Sequence, residues 1–416
     1  MKKTSPLPSI IGCLVIQLCV GILYLWSVFR KDFPAVYALA GDSTIPGMIT
    51  SYMLFSFVIG NFIGGFVNDK KGPKFTAVIG VVMFAAGVGA TGLLNRDSVG
   101  LIVLTYCVIG GLGSGIAYGA CISCVQKWLP HRRGLASGLA VSAFGFSTVV
   151  FAPVANRLID AFRDAGSGIA NFSPVFFILA GVFFALGIAA CFFVRLPDKK
   201  YLGSLPKPAS NAKIVSSTRD YTLAQAAGTA PFWLIFLYIF FINGTWNLTS
   251  PLIATLGENE RGLSNALAVF AVSFTGVTNS AGRLIMAAVS DRIGRVAASL
   301  ILCGVTLVGA IFMTFIAGIP YIVTVAVIAF AYGGPSAINA AVSTDFFGPK
   351  NSGTNYGVVM MGLGVSSVFF NMISNTVLKR NPIPTFIMGG VTAVLAAVCM
   401  LVISRYLAKI KRGEKL

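Results

Sequence analysis

Apolar residues run along this chain in long, nearly unbroken stretches. Windows of about 20 apolar residues, the length that spans a bilayer as a helix, recur twelve times, near 9–29, 47–67, 75–94, 100–124, 134–155, 174–194, 231–253, 264–289, 297–317, 321–344, 353–377 and 384–406. In hydrocarbon only helices and closed barrels satisfy their backbone groups, and these runs lack the two-residue alternation of barrel strands. The pattern predicts an all-α membrane protein with twelve transmembrane helices.

Composition agrees: 56% of the 416 residues are hydrophobic and only 11% are charged, with a mean hydropathy of +0.84. Soluble domains do not reach such values. Met1-Lys2-Lys3 before an apolar run resembles a signal peptide, yet the run continues through Trp26 with no small-residue cleavage site after it, so it is expected to be a retained first span. The net charge of +18 is spread over short loops and does not point to nucleic acid. With a cytoplasmic start, Lys2, Lys3, Lys70, Lys71, Lys74, Lys127, Arg132, Arg133 and later cations fall on one set of loops, 22 of the 31 in all. Arg30, Lys31, Arg96, Arg157, Arg163, Arg261, Lys379 and Arg380 fall on the other. The bias predicts both termini in the cytoplasm of a multi-pass plasma-membrane protein.

One cation belongs to neither set. Arg283 sits inside span 8, an apolar stretch without an acidic residue to neutralise it. A guanidinium stays charged at any physiological pH, and holding it at bilayer depth costs about 2.5–3.5 kcal/mol on the insertion scale. An anionic cargo would offset that cost.

The remaining chemistry is sparse. Cys13, Cys19, Cys107, Cys121, Cys124, Cys191, Cys303 and Cys399 all fall within spans without metal-ligand spacing, and read as small packing residues. Gly87-Val88-Gly89-Ala90-Thr91-Gly92 matches a dinucleotide fingerprint but lies inside an apolar span with no strand before it. Gly111, Gly115 and Gly119, with Gly60 and Gly64, recur at four-residue spacing and predict close helix contact. No paired buried carboxylates, metal cluster or nucleophile elbow occurs, so neither an enzyme, a cofactor nor a metal is expected.

The chain repeats itself. Asp69-Lys70-Lys71-Gly72 follows span 2 and Asp291-Arg292-Ile293-Gly294 follows span 8, an offset of 222 (291 − 69). Arg133-Gly134-Leu135-Ala136-Ser137-Gly138 before span 5 is echoed by Ser352-Gly353-Thr354-Asn355-Tyr356-Gly357 before span 11, an offset of 219 (352 − 133). Two echoes at nearly one spacing imply two pseudo-symmetric six-helix bundles, residues 1–196 and 229–416. Between them, 197–228 carries Pro197, Pro206, Pro208 and a run of Ser, Lys and Asn, the expected cytoplasmic linker. Asp220 or Thr222 is placed to N-cap a short surface helix.

The Asp-x-x-Gly loops resemble the signature of the major facilitator transporters, although Pro73 replaces the usual basic residue after the first Gly. More specific are Gly113-Ser114-Gly115-Ile116-Ala117-Tyr118-Gly119, Lys127-Trp128-Leu129-Pro130-His131-Arg132-Arg133-Gly134-Leu135-Ala136-Ser137-Gly138, Asp220-Tyr221-Thr222-Leu223, Pro231-Phe232-Trp233 and Asn355-Tyr356-Gly357. Together these are similar to the oxalate/formate antiporter family and to bacterial lactate-type monocarboxylate transporters, over nearly the whole chain.

That resemblance implies that Arg283, eight residues before Asp291, binds a substrate carboxylate. Where it would demand a second cation, a lysine on span 11, this chain has Leu363. One central cation favours a monocarboxylate over oxalate. Asn279, four residues before Arg283 and on the same helix face, is positioned to orient the guanidinium without neutralising it. Tyr118 and Tyr332 are candidate hydroxyl donors to the substrate, Phe144 and Leu363 candidate apolar walls, and Ser367, Asn371 and Asn375 further lining candidates. Glu260, and beside it Glu258, are candidates for carrying a proton, since the only histidine, His131, lies in a loop. Asp69, Gly72, Asp291 and Gly294 would latch one side. The function expected is alternating-access transport of a small monocarboxylate of lactate or pyruvate type, with proton symport, by a monomer in the lipid bilayer. Carboxylate exchange is the alternative transport reading, and a carboxylate-binding membrane sensor the alternative of another class.

Overall fold

The structure is a computed structural model that describes residues 5–21, 25–30, 32–39, 45–95, 97–204, 216–217, 219–379 and 381–412. Lys2, Lys3, Lys31, Arg96, Lys207, Lys213, Arg380 and Lys415 of the charge pattern, with Pro206 and Pro208 of the linker, lie outside the described residues.

Each of the twelve apolar runs falls on a helix. These are α1 (Leu7–Val20), α2 (Ile45–Lys71), α3 (Pro73–Thr91), α4 (Gly111–Trp128), α5 (Arg133–Ala161), α6 (Phe172–Cys191), α7 (Ala230–Thr249), α8 (Asn265–Ile293), α9 (Arg295–Phe312), α10 (Ile319–Phe347), α11 (Ser352–Met372) and α12 (Pro382–Lys411). Among the described residues, nine helices are long and apolar enough to cross a membrane by length and composition. The other three are α1, which is only 14 residues long, and α8 and α11. Arg283, Asn279 and several Ser and Thr positions dilute the apolar run of α8.

Local chemistry sets the helix ends. Pro73, Pro231, Pro320 and Pro382 stand in the first turns of α3, α7, α10 and α12, where the missing N–H costs nothing. The Asn171 side chain caps α6 by accepting from Ser173 N at 3.1 Å, and the Ser264 side chain caps α8 at Leu267 N. In the short helix Leu223–Ala227 the N-cap is Thr222, which forms a capping box with Gln225. Gly72 and Gly294 both adopt positive φ, +84° and +97°, so each ends one helix and admits the next without strain. They too are 222 residues apart (294 − 72).

The chain divides into two compact units. The first comprises residues 1–128 and 143–204, and the second 129–142 and 205–416. The opening stretch of α5 therefore belongs with the second unit, although the linker follows it in sequence.

Within the first unit, α4 packs on α1, α2 and α3. The glycine ladder makes this possible. A Cβ on Gly60 or Gly64 would run into the α4 backbone at Leu112 or Ile116, and one on Gly115 into the α2 backbone at Phe57. Polar side chains fasten the same helices: Ser114 Oγ donates to Val20 O at 2.8 Å, and Asn68 Nδ2 to Ser123 Oγ at 3.3 Å.

Within the second unit, α8 packs most extensively on α10, and α7 on α11 and α12. Gly282 faces the backbone of Phe330, and Gly333 faces that of Asn279, at approaches no larger residue permits. Leu252, Leu256, Met313, Tyr321 and Phe386 form a buried apolar cluster at one end of this unit. Elsewhere Ile301, Val308, Val398 and Leu401 lie exposed on α9 and α12, as a lipid-facing surface requires.

Candidate functional site

Arg283 lies near the middle of the 29-residue α8, ten residues from its C-terminal end, which at the helical rise is about 15 Å. It is 4% exposed. Its Nε donates to Asn279 Oδ1 at 2.7 Å, one turn earlier on the same helix, and its Nη1 donates to the carbonyl of Val141 at 3.1 Å. These two acceptors are neutral oxygens that steer the guanidinium. Val141 is on the part of α5 that belongs to the second unit. That segment can approach because Gly138 faces α8, where a Cβ would lie 3.0 Å from the Arg283 carbonyl oxygen. Ser142 Oγ adds a bond to Ser280 O at 3.1 Å.

The close contact of Gly333 with Asn279 sets the depth of its neighbour Tyr332. The buried Tyr332 ring stacks on Trp246 of α7, with centroids 5.1 Å apart and planes within 18°. Three residues on, Pro335 sits inside α10. It cannot donate to the carbonyl of Ala331, so the backbone beside Tyr332 keeps an acceptor outside the helical ladder.

On α11, Leu363 and Ser367 are buried and Asn371 is half-buried. Ser367 Oγ donates to Gly364 O at 2.9 Å and Asn371 Nδ2 to Ser367 O at 2.7 Å, so both spend these donors on their own helix. Asn375 lies in the π-helical turn Ile373–Val377, and its side chain lies outside what is described. Glu258 lies in the last turn of the short helix Ile253–Asn259 and Glu260 is its C-cap; both are exposed.

Tyr118 and Phe144 belong to the first unit. Their buried rings meet edge-on with centroids 5.0 Å apart, and Phe57 lies against both. Gln17 Nε2 donates to the Tyr118 carbonyl at 3.3 Å.

The repeated loops differ in their chemistry. Asp291 accepts from the backbone N–H of Gly134 at 3.0 Å and of Leu135 at 2.7 Å, the first turn of α5, and pairs with Arg295 at 2.6 Å. An anion at a helix N-terminus is stabilised by the orphan donors there and by the helix dipole. Arg295 Nε also reaches Asp345 Oδ2 at 3.1 Å, and Arg133 Nη1 reaches Asp345 Oδ1 at 2.8 Å. In the first loop, after the half-buried Asp69, Pro73 occupies the position equivalent to Arg295 and has no side chain for such a bridge. Sequence reasoning missed the hub of this network. Asp345 stands at the end of an apolar run, where it reads as the first loop residue, yet it is 2% exposed.

The chain's similarities can be set against this geometry. The Major Facilitator Superfamily family model matches residues 21–371. The oxalate:formate antiporter of Oxalobacter formigenes is 27% identical over 359 residues, covering 85% of this chain and 81% of the relative. Apicoplast pyruvate carrier 1 of Toxoplasma gondii is 23% identical over 470 residues, covering 90% and 84%. Among solved structures, the proton:xylose symporter XylE bound to 6-bromo-6-deoxy-D-glucose has a TM-score of 0.72 at 16% identity, covering 96% of both chains. FucP in its outward conformation has 0.69 at 14%, covering 96% and 98%. At such identities the two structures speak to the fold alone.

Proposed function

Since the chain belongs to the Major Facilitator Superfamily, and so is a membrane transporter rather than an enzyme, we propose that its cargo is a small monocarboxylate received by Arg283. The observation that carries this reading is the Arg283 guanidinium itself, buried in mid-helix with Asn279 Oδ1 and the Val141 carbonyl among its partners. Asn279 fixes the plane of the fork, which suits bidentate recognition of a carboxylate. Relatives named for oxalate, formate and pyruvate support the carboxylate class.

Leu363 favours one carboxylate over two. A dianion bound by Arg283, in a chain that carries leucine at 363 where the oxalate exchangers resembled here would have a lysine, leaves half its charge uncompensated in a medium of low dielectric. Tyr332 and Trp246 offer an aromatic wall with one hydroxyl to the uncharged part of the ligand.

Alternating access moves this site between the two faces of the membrane, with both chain termini cytoplasmic and one polypeptide as the working unit. A monocarboxylate moving with one proton carries no net charge, so membrane voltage does not drive it. Glu260 is the proposed proton carrier. The test is uptake of labelled lactate and pyruvate into empty proteoliposomes under an imposed pH gradient, inside alkaline. Symport gives uphill accumulation that collapses with a protonophore. Uptake only into vesicles preloaded with a carboxylate instead establishes exchange, the reading favoured by the antiporter relative.

A further inference from the structure

Ser216, Ser217, Asp220 and Tyr221 of the linker are tied to α10 and to the start of α11. Ser217 N–H donates to Asp345 O at 2.7 Å and Tyr221 N–H to Phe347 O at 2.9 Å, so both residues lie beside the last turn of α10. Asp220 Oδ1 accepts from Lys350 N–H at 3.0 Å in the turn that opens α11. The side-chain amides of Asn351 and Asn355 donate to Tyr221 O at 2.9 and 3.1 Å. At the head of this strap the exposed Ser216 donates its hydroxyl to Asp345 Oδ1 at 2.9 Å, the same oxygen that holds Arg133.

We infer that Ser216 is a positioning residue for the transport cycle, acting through Asp345 on the hold that α8 and α10 keep on the start of α5. This rests on membership of a transporter family that works by alternating access and is independent of the cargo. The torsion that turns an aspartate carboxylate about its Cβ–Cγ bond is soft, so hydrogen bonds decide where the two oxygens point. On Asp345, one oxygen serves Arg133 and Ser216 and the other serves Arg295. Both arginines depend on that orientation, because Arg295 also pairs with Asp291, which holds the amides of Gly134 and Leu135. Removing the Ser216 hydroxyl leaves every charge in place. It leaves the two arginines alone to set the carboxylate's plane and removes the hydroxyl that covers it from the linker side. Any step that withdraws the start of α5 must break this set of bonds, so the linker sets how readily that step occurs.

Hydrogen exchange of the full-length protein in phospholipid nanodiscs tests the inference without a substrate, and so stands or falls apart from the monocarboxylate reading. Ser216→Ala is expected to speed exchange of the Gly134 and Leu135 amides about tenfold, the scale of one hydrogen bond to a charged group; Ser216→Thr, which keeps the hydroxyl, restores the wild-type rate. Asp220→Asn loosens the far end of the strap and is expected to speed Lys350 alone. The inference is overturned if Ser216→Ala accelerates only the Ser217 and Tyr221 amides, which a passive tether would also show. It is overturned equally if Asp220→Asn accelerates Gly134 and Leu135 as much as Ser216→Ala does.

Discussion

Asn279 Oδ1 accepts the Nε–H of Arg283 at 2.7 Å from one helical turn away. The relationship turns a flexible cation into a fixed one, because a guanidinium bonded through Nε has its plane set and its terminal nitrogens aimed. Pre-setting that geometry lowers the ordering cost of binding an anion.

Arg283→Lys keeps the charge and loses the fork. An ammonium cannot serve Asn279, the Val141 carbonyl and a bidentate carboxylate together. Transport in proteoliposomes is expected to fall at least about a hundredfold, on the scale of charge-assisted bonds lost at a buried site. Uptake within a fewfold of wild type removes Arg283 from its assigned role.

Asn279→Asp tests whether the neutrality of the amide matters. A carboxylate at that position pairs with the guanidinium and competes with the substrate. Ligand affinity measured by thermal shift is expected to drop about tenfold or more, while the melting temperature of the unliganded protein holds or rises. Unchanged affinity would show that the amide is only a packing element.

Asp345→Asn leaves the guanidinium of Arg295 buried with one carboxylate instead of two, and Arg133 without its partner. Removing one partner of a buried ion pair costs about 3–5 kcal/mol. The variant is therefore expected to unfold at a distinctly lower temperature in detergent, and a melting curve superimposable on wild type would contradict the burial and pairing described for Asp345.

Asp69→Asn, at the loop where Pro73 precludes the bridge that Arg295 makes, is expected to lower transport rate more than equilibrium affinity. Comparing initial uptake rates with ligand titration of the purified protein checks this. Equal losses in both would assign Asp69 to binding instead of the conformational step.

Much of this architecture was legible in the chain. Apolar runs of bilayer length can satisfy their backbone only as helices, and the Gly72 and Gly294 echo survives as a shared positive φ. The Asn279–Arg283 contact follows from four-residue spacing. Tertiary facts were harder to read. Asp345 carries no local sign of its burial, because a carboxylate at a helix end reads as a loop residue until Arg133, 212 residues earlier in the chain, is brought to it. The linker's Pro, Ser and Lys content reads as a tether, and nothing local shows that Ser217 and Tyr221 bond to α10. The π-helical turns Val103–Gly110 and Ile373–Val377 leave no mark either, since Val103–Gly110 lies in an unbroken apolar run and the change of register alters no residue type. Likewise α5 is apolar through the point between Ser142 and Ala143 where the compact units divide.

The most direct measurement of the central claim is calorimetric titration of the purified protein with formate, lactate, pyruvate and oxalate, beside Arg283→Lys. The account predicts saturable binding of at least one monocarboxylate by the wild type, weaker binding of oxalate, and no detectable binding by a variant that remains folded. Equal affinity in the variant, or tightest binding of oxalate by the wild type, would contradict it.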